Sequence, residues 1–331
     1  MRALISGIGG QDGGYLAKFL LEKGYEVCGT SRDIHLMSGR GLHALGIANQ
    51  VNLCSMAIND FRSVLTVLAT VKPDEVYNLA GQSSVGLSFE QPVETMESIA
   101  VGTLNLLEAI RFVNPAIRFY NASSSECFGD TGGEPANEET AFRPRSPYAV
   151  AKSTAFWQVA NYRDAYQLHA SSGILFNHES PMRPERFVTR KIVATACRIA
   201  QGSTEQLVLG DIDIHRDWGW APDYVEAMWL MTQQATGGDY VVATGRTVSL
   251  GYFIERVFAE LGLESNDHVV SDPKLFRPSE IRISRGNTDK IKSVLGWQHR
   301  LEIEDVIREM VHYQLETLCA TPTPKLKVHI L

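Results

Sequence analysis

The chain has 331 residues, 44% hydrophobic and 21% charged, and a formal net charge of −7 at pH 7. That is ordinary globular composition, long enough for one large or two smaller domains. The acidic balance argues against a nucleic-acid or anionic-membrane surface, so any phosphate binding has to be local. No apolar run is long enough to cross a bilayer, and MRALISG leads straight into a glycine turn, so no signal peptide is expected. The five cysteines (28, 54, 127, 197, 319) are odd in number and include no C-x-x-C pair. Free thiols, a cytoplasmic setting and no metal site are the expectation.

Leu4 to Ser6 read as a short strand, followed by Gly7, Gly10 and Gly13 at G-x-x-G-x-x-G spacing with Gln11 and Asp12 between them. Tyr15, Leu16, Phe19 and Leu20 then recur at helical spacing up to Lys23, Gly24 suits a C-cap, and Tyr25 to Thr30 reads as a second strand. Glycines alone only permit tight turns. Between a strand and a helix they set backbone N–H groups and a helix N-terminus against a pyrophosphate. The second strand ends Thr30-Ser31-Arg32-Asp33. An arginine at that place accommodates the 2′-phosphate of NADP, whereas an acid accepts from the 2′-OH of NAD. Arg32 therefore predicts NADP, against the alternative that it is a solvated surface charge.

The alternation continues with a helix near 60–70, a buried strand in 74–81, a helix over 95–112, a strand in 117–129 that runs into a polar turn, a helix over 146–167 and a strand in 169–177. Ser146 can cap the helix it precedes, and Pro147 suits the first turn. The fold class is α/β: a Rossmann-type doubly wound parallel sheet, with ligands outside the carboxyl ends of the strands. After Asn177 the pattern loosens into Pro-, Arg- and Ser-rich segments, which reads as a smaller, irregular α/β substrate lobe. A helix in 223–235 and a strand in 239–245 look like a return to the first lobe. The expected division is 1–176 plus about 217–245 for the dinucleotide domain and about 177–216 plus 246–320 for the substrate lobe. A short terminal strand is expected in TPTPKLKVHIL.

SPYAVAK places Tyr148 and Lys152 one helical turn apart on one face. A lysine there can hold a cofactor ribose and lower the phenol's pKa, so that tyrosinate accepts a proton near neutrality. ASSSECFG ends a strand at the carboxyl edge of the sheet. In an extended run Ser124 and Glu126 point one way and Ser125 the other. Ser124 can then hydrogen-bond a reacting oxygen beside Tyr148, and a carboxylate aimed into a partly dry cleft is costly unless it exchanges a proton. The alternative is that these serines and the acid only cap the turn.

With these residues in place, the chain resembles the GDP-mannose 4,6-dehydratases, within the extended short-chain dehydrogenase/reductases, along nearly its whole length. The matching stretches are GIGGQDGGYL, NLAGQSSVGLSF, ASSSECFG, SPYAVAK, NHESPMR, FVTRKI, RDWGWAPDYVEAMWLM and FRPSE. The resemblance implies that Ser124, in place of a threonine, acts with Tyr148 and Lys152 as the dehydrogenase triad and that Glu126 is the dehydratase acid/base. It implies cofactor contacts from Gly7, Gly10, Gln11, Asp12, Gly13, Arg32, Asn52, Leu53, Tyr148 and Lys152. Gln82 and Ser83 would lie near the substrate or nicotinamide, and Asn177, Lys191, Arg216 and Arg277 would meet the GDP part. It further implies a homodimer or homotetramer in which the loop 33–46 reaches a neighbouring subunit, against the alternative of a mobile surface loop.

The departures from the family pattern are Gly9 for a threonine, Cys127-Phe128 for Leu-Tyr, Asn52 for an aspartate and Asp33 for a second arginine. They point to a divergent branch, with GDP-mannose as the implied substrate and a GDP-manno-heptose as the second candidate. The implied reaction oxidises C4, eliminates water across C5 and C6, and reduces C6. A nucleotide-sugar epimerase or ketoreductase would leave Glu126 without elimination chemistry, and a non-catalytic dinucleotide sensor would not need Tyr148 and Lys152.

Overall fold

The computed structural model describes residues 1–277 and 279–319; the expected terminal strand lies outside the described residues. In β1 (Arg2–Ser6), Ala3 and Ile5 join one core cluster and Leu4 another, the period-two alternation of a strand buried on both faces. β1 pairs in parallel with β2 (Glu26–Ser31), which pairs with β3 (Asn52–Ser55), and on its other side with β4 (Glu75–Asn78). β4 continues to β5 (Arg118–Ser124) and β6 (Ala170–Leu175). The connecting helices are α1 (Gln11–Glu22), the short α2 (Arg40–Ala44), α3 (Phe61–Val71), α4 (Val85–Glu90), α5 (Pro92–Met96), α6 (Gly102–Val113) and α7 (Pro147–Tyr166).

The helix α1 begins four residues before the expected Tyr15 because Gly13 and Gly14 belong to it. A Cβ on Gly13 would stand 2.4 Å from the Gly7 carbonyl oxygen, so only a glycine lets the first turn close against the preceding loop. The single helix expected over 95–112 is broken into α5, a wide turn at Glu97–Val101 with i→i+5 bonding, and α6. That widening leaves Ser98 facing the loop after β4, where its Oγ accepts from the Gln82 N–H at 3.3 Å. Ser146 Oγ accepts from the Ala149 N–H at 3.1 Å, the cap expected at the start of α7.

Beyond β6 come β7 (Asn177–Glu179), α8 (Val188–Ala200), β8 (Leu207–Leu209), β9 (His215–Trp220), α9 (Ala221–Gln233), β10 (Asp239–Val242), β11 (Thr247–Ser249), α10 (Leu250–Glu260), β12 (Val269–Ser271), α11 (Asp289–Leu295) and α12 (Ile303–Cys319). β10 pairs with β6 and completes a seven-stranded parallel sheet in the order β10-β6-β5-β4-β1-β2-β3. Side chains of α1 and α9 cover one face and those of α3 and α6 the other. β7, β9 and β11 form a separate three-stranded sheet, and β8 pairs with β12. Around these, Ile192, Trp218, Phe253, Phe258 and Met310 bury a second core drawn from α8, β9, α10 and α12. β9 thus starts in the smaller sheet, and the chain returns to the larger one only at α9. None of the described helices is long and apolar enough to cross a membrane.

Candidate active site

The sheet order reverses between β1 and β4, and a cleft of about 690 Å³ opens at their carboxyl ends. Its floor is the loop from Gly7 to Gly13. Gly7 has φ +88°, and a Cβ there would lie 2.9 Å from the Leu79 carbonyl oxygen and the Ala80 nitrogen. The first turn of α1 therefore presents N–H groups to the cleft across a surface that no larger side chain could share. Its walls carry Arg32, Asp33 and Met37 from the β2 end, Gln82 and Ser83 from the β4 end, and Glu94 from α5. A backbone cradle beside a helix N-terminus, with a cation at the end of the second strand, fits a dinucleotide.

Gln11 and Asp12 are turned partly toward the second sheet. Gln11 Nε2 donates to the His178 carbonyl at 3.1 Å, and Ser180 Oγ donates to Gln11 Oε1 at 2.7 Å. Asp12 Oδ2 lies 2.9 Å from His178 Nε2, while His178 Nδ1 lies 2.8 Å from the Phe176 carbonyl. Both ring nitrogens face acceptors, which favours imidazolium. Burial alone would draw the His178 pKa down, but the Asp12 charge and the hydrogen bonds to Asp12 and the Phe176 carbonyl together offset this and leave it raised. Asp12 has the complementary balance: burial pushes up, the His178 cation and its hydrogen bond pull down, and the result is about 2. This pair joins the glycine turn to β7.

Asn52 and Leu53 are not brought to the cleft. Asn52 is the first residue of β3 and is exposed, at the amino end of a strand whose carboxyl end faces the ligand side. The residues that line the cleft past that strand are Met56 and Ile58. In a parallel sheet the binding residue follows the strand, so a register of a few residues moves it from one edge of the sheet to the other.

Tyr148 and Lys152 share a face of α7 above β5, with Lys152 Nζ 5.7 Å from the Tyr148 ring centroid. The expected lowering of the phenol pKa by Lys152 is not what the chain's own groups produce. Burial holds Tyr148 well above the ordinary tyrosine value, and the Ser124 hydroxyl, as a hydrogen-bond partner, offsets only part of this. Lys152 is itself pushed down to about 8 by burial, and its ammonium donates to the Ala122 carbonyl at 2.8 Å. Ser124 is thus the group that couples directly to the phenol.

The stretch after Ser124 is not extended. Residues Ser125–Phe128 make one tight helical turn, and Ser124 Oγ accepts from the Glu126 N–H at 3.3 Å. Ser124 is both a turn cap and the neighbour of Tyr148, and the turn, not strand alternation, aims Glu126. Burial raises the Glu126 pKa, while the Arg216 and Arg277 cations pull it back part of the way. Arg216 Nη2 donates to Glu280 Oε1 at 2.7 Å, and Arg277 Nη1 lies 3.4 Å from the same oxygen. Glu126, Arg216, Arg277 and Glu280 therefore form one charged group. Asn177 pairs with Trp218 on the strand that carries Arg216, and Lys191 Nζ donates to the Val208 carbonyl at 2.7 Å.

The family model for GDP-mannose 4,6 dehydratase matches residues 4–310. The chain belongs to the GDP-mannose 4,6-dehydratase family. It is 47% identical to GDP-mannose 4,6 dehydratase 1 of Arabidopsis thaliana, over 95% of this chain and 90% of that protein. To the GDP-mannose 4,6-dehydratase of Sinorhizobium fredii it is 44% identical, over 96% of this chain and 98% of the relative. Among solved structures, the UDP-glucose 4-epimerase of Thermus thermophilus in complex with NAD superposes with a TM-score of 0.83 at 26% identity, over 95% of this chain and 99% of that one. The Rossmann-type fold is shared with such epimerases, and membership of the dehydratase family makes the chain an enzyme of the hydro-lyase class.

Several residues at the family site escaped the sequence reading. Arg183 and Arg186 line the dinucleotide cleft, and the Arg183 guanidinium lies 3.9 Å over the Phe187 ring. Their signal was present as an arginine-rich segment, HESPMRPERF, in an acidic chain. Glu94 had no local signal, since nothing near it in sequence shows that α5 folds back beside Arg32.

Proposed function

We propose that the chain catalyses NADP-dependent 4,6-dehydration of GDP-mannose to the 4-keto-6-deoxy sugar. The observation that carries this is Glu126, half-buried, within reach of the Arg216 and Arg277 charges and set by a short turn after Ser124, in a chain of this family. A nicotinamide dinucleotide would be held by the Gly7–Gly13 turn and Arg32, and would supply reversible hydride transfer between the substrate's C4 and C6 with no net change in its own oxidation state. The Tyr148 oxygen takes the proton of the 4-OH while the Ser124 hydroxyl holds the same oxygen in place. Lys152, on the same face of α7 as Tyr148 and anchored to the Ala122 carbonyl, would hold the ribose. With C4 a ketone, the C5 proton is acidic; Glu126 removes it and delivers a proton to the departing 6-OH, which leaves as water. The proton that Tyr148 took from the 4-OH is then relayed to C5 as C6 is reduced, so Tyr148 and Glu126 end as they began and the balance is the loss of one water. Arg216 and Arg277, with Lys191 and Asn177, meet the GDP part, a local set of cations in an acidic protein. The chain works as a homo-oligomer through the segment 33–46.

A GDP-manno-heptose is a second reading, on which the segment 82–89 walls C6. In the segment 82–89, a Cβ added at Gly86 would meet nothing nearer than Ser84 Oγ at 4.0 Å, so a larger substituent has room there. A roomy wall changes binding by only ~1–3 kcal/mol for one extra hydroxymethyl. Side-by-side kinetics with GDP-mannose and the GDP-heptose test both. GDP-mannose is expected to show the higher kcat/KM, and turnover of a UDP- or dTDP-hexose with neither GDP sugar accepted would show the guanosine reading to be wrong.

NADP over NAD rests on Arg32, which stands at the end of β2 on the cleft wall. Arg32→Ala is expected to weaken NADP⁺ binding by roughly tenfold or more, the worth of one charge-assisted bond, and NAD⁺ binding far less. Isothermal titration of both cofactors reads this directly.

A further inference from the structure

We propose that Glu94 competes with a 2′-phosphate for Arg32 and so lowers, without reversing, the preference of this enzyme for NADP over NAD. This rests on the assignment of Arg32 to the 2′ position. Arg32 Nη2 donates to Glu94 Oε1 at 2.6 Å, and both residues line the same cleft. The two are 62 positions apart in sequence and meet because α5 is fixed beside the end of β2. Thr95, fully buried, donates through Oγ1 to the Gln91 carbonyl at 2.7 Å and accepts from Gln82 Nε2 at 3.3 Å. Glu94 therefore stands on a short helix anchored at the next residue.

A 2′-phosphate that pairs with Arg32 has to displace the Glu94 carboxylate and then lie beside it, like charge against like. A 2′-hydroxyl meets the opposite situation, since a carboxylate accepts from it. Asp33 is the other acid at this end; its Oδ1 already accepts from the His35 N–H at 2.8 Å. Arg183 and Arg186, the further cations of the cleft, come from the segment after β7, and Arg183 Nε lies 3.4 Å from Glu179 Oε2. The Arg32 and Glu94 side chains are 70% and 41% exposed, so water and salt screen the pair. Exposure decides the size of the effect: Glu94 tunes the preference and does not abolish either mode of binding.

The test is equilibrium binding of NADP⁺ and NAD⁺ by titration calorimetry, with NADPH and NADH fluorescence as a second readout, on wild type, Glu94→Gln, Glu94→Ala, Arg32→Ala and the double variant. Glu94→Gln and Glu94→Ala are expected to bind NADP⁺ about fivefold more tightly, and NAD⁺ no more tightly, with the gain shrinking as salt rises. In the Arg32→Ala background the gain is expected to fall, because the freed guanidinium is part of it. If both Glu94 variants bind NADP⁺ no better than wild type while Arg32→Ala still loses NADP⁺ selectively, the role of Glu94 is overturned and Arg32 stands. Equal loss of both cofactors in Arg32→Ala overturns the assignment of Arg32 and with it the basis of the proposal.

Discussion

Tyr148→Phe is expected to lower kcat by about 10³-fold, within the range that positioned proton transfer contributes, while the variant still binds GDP-sugar. The reason lies in the neighbours of the phenol. Burial keeps its pKa high, and the Ser124 hydroxyl is the chief group that draws it back. Loss of the oxygen removes the acceptor placed for the 4-OH proton, so no later step can begin. The sign of the pH dependence follows. A base must be unprotonated to work, and a raised pKa keeps that form scarce, so kcat/KM should climb with pH on the alkaline side of neutrality. Ser124→Ala removes the hydrogen bond that lowers the phenol pKa, so the same limb should move to higher pH, with a smaller loss of rate than Tyr148→Phe. Steady-state pH profiles of the three proteins check this; a Tyr148→Phe variant retaining a tenth of wild-type turnover, by about the tenfold-per-1.4 kcal/mol scale, would remove the phenol from the mechanism.

The second large effect is expected at Glu126. Glu126→Gln keeps the shape of the side chain and its place in the turn but cannot take a proton from C5 or give one to the departing oxygen. Oxidation at C4 does not need this group and should proceed, so substrate added to the variant should produce a near-ultraviolet rise from reduced nicotinamide that does not decay. Product formation should fall by about 10²–10⁴-fold. Single-turnover absorbance followed alongside product analysis separates the two steps, and normal product formation would rule out elimination by Glu126. Removing the negative charge also leaves Arg216 and Arg277 with Glu280 as the remaining acid of the group, so KM for the GDP-sugar is expected to change little or fall.

Much of this enzyme could be read along the chain. The alternation of strand and helix, Gly7, Gly10 and Gly13 at the first turn, and Tyr148 and Lys152 at helical spacing are all local patterns, and each is set by backbone geometry within a few residues. The seven-stranded parallel sheet follows from them, because strands joined by helices have few other ways to bury both faces. The family stretches likewise lie in the linear sequence, which is why the family itself could be named from it.

Tertiary structure decided what depended on residues far apart in sequence. Asn52 lies at the wrong end of β3, since the strand's start and direction, and not a neighbouring motif, fix which residues reach the ligand edge. The raised pKa of Tyr148 comes from burial, and the group that chiefly offsets it is the Ser124 hydroxyl from another element, not the lysine one turn away. The clamp between Asp12 and His178 joins residues 166 apart, and Arg32 meets Glu94 only because Thr95 pins α5 in place. Local periodicity carries the backbone and the spacing of the candidate reacting groups. Their protonation states and charge partners are set by desolvation and long-range contacts, which exist only once the chain has packed.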